Sequence, residues 1–220
     1  MKIYKNFISF EGIDYSGKTT QMKVLQERLR EKDIENIIVR EPGGTAISEK
    51  IRDILLSTAH TEMHRITELL LYEAARAQLV HQKILPLLEK NIHVIADRYY
   101  DSSTAYQGYG RKLDLQAVCT INHFATSHLR PFKTFFIDIS AEEAEKRQRL
   151  KNLSKDRLED SGFDFFQLIR SGYLEMCQTE PDRFIKIHGE KEPENIADEI
   201  WSHLSKFWPI QVKNDRVESI

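Results

Sequence analysis

Eight residues constrain this chain more than any others: Gly12-Ile13-Asp14-Tyr15-Ser16-Gly17-Lys18-Thr19. They match the pattern G-x-x-x-x-G-K-[ST], which arises by chance in a chain of 220 residues in roughly 1% of cases or fewer. A strand-like run, Phe7-Ile-Ser-Phe10, precedes the pattern. Apolar Met22, Leu25 and Leu29 follow it at helical spacing within Lys18 to Arg30. Strand, loop and helix in that order is the context in which the pattern cradles nucleotide phosphates. Gly12 and Gly17 let the backbone turn so that successive N–H groups point inward. The helix start near Lys18 adds its positive dipole end. Lys18 is suited to reach the β- and γ-phosphates of ATP, and the Thr19 hydroxyl to ligate Mg²⁺. The predicted ATP-binding residues are therefore Gly12, Ile13, Asp14, Tyr15, Ser16, Gly17, Lys18, Thr19 and Thr20.

The rest of the chain repeats the same alternation. Ile37-Ile-Val39, Val94-Ile-Ala96, Thr134-Phe-Phe-Ile137 and Phe184-Ile-Lys-Ile187 read as further short strands. Between them lie helical patterns. One runs through Ile47, Ile51, Ile54 and Leu55, with Thr45 or Ser48 as its cap. A long one spans Leu69 to Leu88, with Pro86 expected to kink its end. Others cover Leu115 to Phe124 and Phe163 to Met176, and a last one starts at Pro193. Ser140-Ala-Glu-Glu143 has the form of a capping box. Strands rich in β-branched and aromatic residues, alternating with helices, predict an α/β fold: a P-loop NTPase-type sheet of five parallel strands sandwiched by helices.

Composition narrows the class. Charged residues make up 30% of the 220, and Lys plus Arg (32) nearly balance Asp plus Glu (34), for a net charge of −2. Duplex-binding proteins draw nonspecific affinity from excess Lys and Arg, so no nucleic-acid partner is expected. No window approaches 18 consecutive apolar residues, and Phe7 to Phe10 is too short for a signal-peptide core. A cytoplasmic protein with no membrane span is expected. Cys119 and Cys177 are read as buried reduced thiols. His60 and His64 stand four apart without the glutamate of a zinc protease, and are read as ordinary loop or helix-surface histidines.

The second strand carrying chemistry is Val94-Ile-Ala-Asp97, followed by Arg98. Asp97 is placed to help hold the metal, with Glu11 in its outer shell. A cation at position 98 holds an anion rather than activating water. No Asn-Lys-x-Asp guanine-reading motif occurs. Transfer to a phosphate-bearing acceptor is therefore favoured over hydrolysis or a GTP switch. Further cations sit at Arg40 and in the stretch Glu145 to Arg157, where six basic residues face two acidic ones. Such a run is ordinarily a solvated helix face. In a phosphate-loop kinase it is a lid that covers the phosphates and excludes water.

Five ordered blocks make the chain resemble the thymidylate kinase family. They are Phe10-Glu-Gly-Ile-Asp-Tyr-Ser-Gly-Lys-Thr-Thr20, Arg40-Glu-Pro-Gly-Gly-Thr45, Tyr72-Glu-Ala-Ala-Arg-Ala-Gln78, Asp97-Arg-Tyr-Tyr-Asp-Ser-Ser-Thr-Ala-Tyr-Gln-Gly108 and Asp156-Arg-Leu-Glu159. The resemblance implies phosphorylation of dTMP to dTDP by ATP with Mg²⁺, in a homodimer. It implies that Asp14 lies between acceptor sugar and phosphate, and that Arg40 and Arg98 clamp the dTMP phosphate. Tyr72 stands where the family stacks a Phe on thymine. Arg76 is the donor to a thymine carbonyl, and Tyr106 and Gln107 crowd the sugar and read the base. Neither Tyr15 nor Ser16 supplies the Arg that some members carry in the phosphate loop, so the lid should supply it. Arg147, Arg149 and Lys151 are the candidates, with Arg149 preferred, beside Asp14, Lys18 and Arg98 as catalytic residues. Asp156 and Glu159 are assigned to orienting the lid. One kinase domain is expected over residues 1–208, its lid at about 145–160, with a loose tail at 209–220. Two rivals remain: a nucleoside or nucleotide kinase of another base specificity, and a non-enzymatic nucleotide-binding regulator.

Overall fold

The computed structural model describes residues 2–151, 157–158 and 162–208. Five strands form one parallel sheet: β1 (Lys2–Glu11), β2 (Asn36–Arg40), β3 (His93–Asp97), β4 (Leu129–Asp138) and β5 (Phe184–His188). Their order across the sheet is β2-β3-β1-β4-β5. All five predicted strands are present. β1 and β4 are longer than predicted, because their first halves pair with each other from Lys2↔Leu129 despite a polar, half-exposed sequence.

Period-two alternation along β1 and β4 separates the two faces. Ile8, Phe10, Phe135 and Ile137 turn toward α1 (Lys18–Glu31) and α9 (Pro193–Leu204), where Met22, Leu25, Leu29, Ile196 and Ile200 complete one core. Phe7 and Phe136 turn the other way. Phe7 joins Leu79, Val80 and Ile84. Phe136 joins Ile169 and Tyr173 of α8 (Phe163–Thr179). The remaining helices are α2 (Ala46–Leu56), α3 (Arg65–Leu79), α4 (Leu85–Glu89), α5 (Tyr100–Ser103), α6 (Leu115–Ala125) and α7 (Ala141–Lys151).

Three local expectations need correction, and one open choice is settled. The long helix of residues 69–88 begins earlier, at Arg65, and widens into a π-helical turn at Val80–Ile84 before α4. Pro86 offers no N–H to the carbonyl four residues back, and the wide turn accommodates that loss. Thr45 is the cap of α2, accepting from Ser48 N at 3.1 Å. Ser48 is instead buried inside the helix and donates to Ala75 O at 2.8 Å. The capping box of α7 is only half made. Ser140 Oγ accepts from Glu143 N at 3.2 Å, but Ser140 N donates to Glu190 at 2.9 Å, while Glu143 turns to Arg147. Cys119 and Cys177 are free thiols, half-buried rather than buried.

The C-terminal ends of β1, β2 and β3 finish at one level, with Phe10 and Arg40 both in register with Asp97. The loops leaving those ends form the rim where ligands bind in open parallel sheets.

Candidate active site

Beyond that rim lies a cleft of about 230 Å³, lined by the phosphate loop, the start of α1, the β2 and β3 ends, α3 and the segment after β3. The loop conformation follows from its glycines. Gly12 has φ 142°, and a Cβ there would stand 2.5 Å from Ile137 O. Gly17, at φ 97°, caps α1. Lys18 is 7% exposed, and its ammonium donates to Gly12 O (3.0 Å), Ile13 O (2.9 Å) and Ser16 Oγ (3.2 Å). Burial, and then the charge of Arg98, lowers its pKa to about 8 against the pull of Asp14. Of the predicted ATP-binding run, Asp14, Tyr15, Gly17, Lys18, Thr19 and Thr20 line the cleft. Gly12, Ile13 and Ser16 sit behind them: Ile13 packs in the core under α8, and Ser16 is buried beneath Lys18.

Arg98 adopts a left-handed backbone, φ 68°. That conformation is costly for a side-chain-bearing residue and persists only when neighbours fix it. Here Arg98 N donates to Phe10 O at 3.0 Å and Tyr99 N to Glu11 Oε1 at 2.7 Å. The guanidinium then reaches Gly12 O (2.8 Å), Ser102 Oγ (3.2 Å), Asp14 Oδ1 (2.5 Å) and the Tyr106 hydroxyl (2.9 Å). Tyr106 donates onward to Asp14 Oδ2 at 2.9 Å. Burial works to raise the Asp14 pKa, but Arg98 and Lys18 outweigh it and hold the carboxyl below its usual range. Asp14, Arg98 and Tyr106 are thus brought together.

Glu11 is not turned to a metal. It is fully buried and accepts from Tyr99 N, Ser102 Oγ and the Tyr173 hydroxyl, each at 2.7 Å. Burial and then the charge of Asp101 raise its pKa to about 7. Glu11 fixes the turn that carries Arg98. Asp97 and Thr19 do line the cleft, and neither side chain hydrogen-bonds a described residue. A carboxylate and a hydroxyl left open beside a phosphate loop are hard oxygen donors that fit Mg²⁺.

Arg76 lines the cleft with most of its donors already engaged. It is 2% exposed and donates to Glu41 Oε2 (2.6 Å), to Glu73 Oε1, to Ser103 Oγ (2.9 Å) and to Tyr99 O (3.2 Å). Four of five guanidinium hydrogens are thereby engaged, leaving one on Nη2. Burial acts to lower the Arg76 pKa, but Glu41 and Glu73 reverse the effect. Glu41 itself is raised by burial to about 7 against that pull. Glu41 Oε1 and Glu73 Oε2 remain buried without partners. Tyr72 is half-buried on the same wall, and Gln107 donates its amide to Glu68 at 2.9 Å. Arg40 lines the cleft, with its Nη2 held by both oxygens of Glu49 at 2.8 and 2.9 Å.

Two of the lid candidates lie in different surroundings. Arg149 has a side chain 74% exposed and pairs with Glu145 at 2.8 Å. Two residues earlier, Arg147 donates to Tyr15 O (3.3 Å) and Gly189 O (2.9 Å), with its Nε on Glu143 at 2.8 Å. Spacing alone could not choose between them, because residues two apart leave a helix on different sides. Of the last block, Arg157 and Leu158 are described, and Leu158 lines the cleft. Asp156, Glu159, the Lys151 side chain and residues 209–220 lie outside the described residues.

Comparison with known proteins settles which family builds this cleft. The family profile described as Thymidylate kinase matches residues 10–200. The chain belongs to the thymidylate kinase family. A thymidylate kinase of Caldanaerobacter subterraneus subsp. tengcongensis is 49% identical over 186 residues, 84% of this chain and 88% of the relative. One from Kosmotoga olearia is 45% identical over 194 residues, 88% of this chain and 92% of the relative. The solved thymidylate kinase of Ehrlichia chaffeensis superposes with a TM-score of 0.72 at 29% identity, over 93% of this chain and 99% of that one. The five-stranded parallel sheet is the fold that the alternation of strand and helix patterns anticipated.

Within this family member, sequence reasoning missed the buried groups behind the cleft. Ser102 and Ser103 stand within the run from Asp97 to Gly108, and their hydroxyls anchor the buried Glu11 and Glu73. Asp101 and Arg183, each 1% exposed, form a bidentate pair at 2.5 and 2.8 Å that ties α5 to the turn entering β5. Arg183 also donates to Thr134 Oγ1 at 2.9 Å. The Asp101 position was visible in sequence; its partner, 82 residues away, was not.

Proposed function

We propose that this chain transfers the terminal phosphoryl group of ATP to dTMP, giving dTDP and ADP, through the residues described above. Membership of an enzyme family of that activity makes it a phosphotransferase. The observation that carries the site assignment is the convergence of Arg98, Asp14 and Tyr106 beside Lys18 in one cleft. An oxygen of the acceptor phosphate, held by Arg98 with Arg40, attacks the γ-phosphorus as the bond to the β-phosphate oxygen breaks. Lys18 and Arg147 neutralise charge on the donor side. No covalent nucleophile is required, because positioning and charge stabilisation carry phosphoryl transfer. Thr19 and Asp97 would hold Mg²⁺, which when bound offsets phosphate charge. Asp14 holds the acceptor sugar, Tyr72 stacks on the base, Arg76 gives its remaining hydrogen to a thymine carbonyl and Gln107 reads the base.

Supporting a homodimer, Ile47 and Ile54 of α2, Ile66 and Leu70 of α3 and Phe124 of α6 are exposed apolar side chains on neighbouring helices. No described helix is long and apolar enough to cross a membrane, and a supply of ATP and dTMP suits a cytoplasmic site. One kinase domain over 1–208 agrees with a single sheet.

An ADP-release assay across dTMP, dUMP, dCMP, dGMP and AMP tests the reading. dTMP should exceed every other acceptor by at least about tenfold in kcat/KM, the scale of one base-edge contact. A different best acceptor, or ATP binding without acceptor-dependent turnover, would refute it.

A further inference from the structure

Glu68 lies in the first turn of α3 and is 1% exposed. Its Oε1 accepts from Gln107 Nε2 at 2.9 Å and from Arg111 Nε at 3.2 Å. Its Oε2 accepts from Arg111 Nη2 at 3.2 Å and from Arg157 Nη1 at 2.7 Å. Two guanidinium groups on one carboxylate keep it ionised. Burial works to raise its pKa, but these partners hold it below the usual range. An ionised carboxylate only accepts hydrogen bonds. The Gln107 amide must therefore turn its NH₂ toward Glu68, which sends its carbonyl oxygen the other way. That oxygen has no hydrogen-bond partner among the described residues, and Gln107 lines the cleft.

We propose that Glu68 is a positioning residue for base selection: it locks the Gln107 amide with its carbonyl toward the acceptor base, so that the site demands an N–H there. This rests on the acceptor-site reading above. Thymine and uracil carry a hydrogen on N3, and cytosine carries a lone pair. A cytosine would meet the Gln107 oxygen with its own lone pair and leave a buried acceptor unpaired, a costly outcome.

The test is the ratio of kcat/KM for dTMP to that for dCMP. In Glu68→Gln the side chain can donate as well as accept, so the Gln107 amide is free to turn over. The ratio should fall about tenfold, carried by KM rather than kcat. Glu68→Asp keeps an acceptor-only group and should retain most of the ratio even where the melting temperature drops. Loss of thermal stability in both variants with an unchanged ratio overturns the proposal. Gln107→Met separates the two readings. If it leaves the ratio intact, Gln107 does not read the base and both readings fail. If it lowers the ratio and Glu68→Gln does not, this inference alone fails. Should Glu68→Gln not fold, nitrogen-15 NMR of the native protein decides. The Gln107 NH₂ signal, identified by its loss in Gln107→Met, should exchange slowly and barely shift when dTMP binds. A large shift would place the NH₂ on the base and overturn the proposal.

Discussion

The two walls of the cleft are built differently. On the acceptor wall, cations are tied to carboxylates. Arg76 is held by Glu41 and Glu73, and Arg98 by Asp14. On the donor wall, the groups that face phosphate rest on backbone carbonyls: Lys18 on Gly12 and Ile13, and the terminal nitrogens of Arg147 on Tyr15 and Gly189, while Arg147 Nε alone is tied to a carboxylate, Glu143. A cation is held more strongly by an anionic phosphate than by a neutral carbonyl, because the phosphate adds the attraction of a full opposite charge. Donor-wall cations can therefore be handed from carbonyl to phosphate when ATP arrives. Acceptor-wall cations are fixed beforehand by charged partners that a ligand does not displace. The difference teaches that substitutions on the donor wall should cost turnover, while those behind the acceptor wall should cost folding or selectivity.

Lys18→Ala gives the strongest test. Its ammonium is the buried cation of the phosphate loop, and we expect turnover to fall on the order of 10³-fold, with little change in dTMP affinity. Single-turnover kinetics with equilibrium binding of dTMP would separate the two. Near-normal turnover would remove Lys18 from the donor wall's chemistry.

The next effect belongs behind the acceptor wall. Arg183→Leu leaves Asp101 as a buried, unpaired carboxylate beneath α5, and such breaks cost about 3–5 kcal/mol. Urea unfolding should show that loss. A change below about 1 kcal/mol would mean that water reaches Asp101, and the claim of a prefixed acceptor wall would weaken.

Arg147→Ala and Arg149→Ala sharpen the donor wall itself. We expect the first to lower kcat by about 10- to 100-fold, short of the full effect of a catalytic arginine because Lys18 remains. The second should stay within about twofold, since an exposed i,i+4 pair contributes little. The opposite ranking in steady-state kinetics would mean that α7 turns when ATP binds and restore the preference for Arg149 drawn from sequence.

What could be read in the sequence divides along the same line. Elements whose signal is local were legible: all five strands from apolar runs, the loop from Gly12, Gly17 and Lys18, and Pro193 at the start of α9. Arg98 and Asp14 were legible because each sits in a compact block. The acceptor wall's support was not, since it comes from long-range pairs such as Arg76 with Glu41, Gln107 with Glu68 and Arg183 with Asp101. A buried carboxylate in sequence looks like any surface Glu. Only burial reveals that it orients a neighbour. The short α5 helix and the π-helical segment at Thr104–Gly110 were equally hidden, because their side chains are buried nearly all round and show no periodicity.

The mildest prediction concerns pH. In the free protein the Lys18 pKa is lowered from 10.5 to about 8, chiefly by burial and by Arg98. Only the ammonium form grips phosphate, so kcat/KM for ATP should decline as pH rises through about 8, a few-fold by half a unit above it. Bound phosphates return the pKa upward, so kcat at saturating ATP should stay flat over the same range. The sign for folding is opposite. Between pH 8 and 10.5 the unfolded chain keeps a proton that the folded one has released, so this group makes stability rise with pH there. Measuring both kinetic constants from pH 7 to 9.5 checks the split. A flat kcat/KM would mean that the Gly12 and Ile13 carbonyls keep Lys18 charged on their own. The donor wall would then be as firmly set before ATP binds as the acceptor wall, and the contrast between the two would disappear.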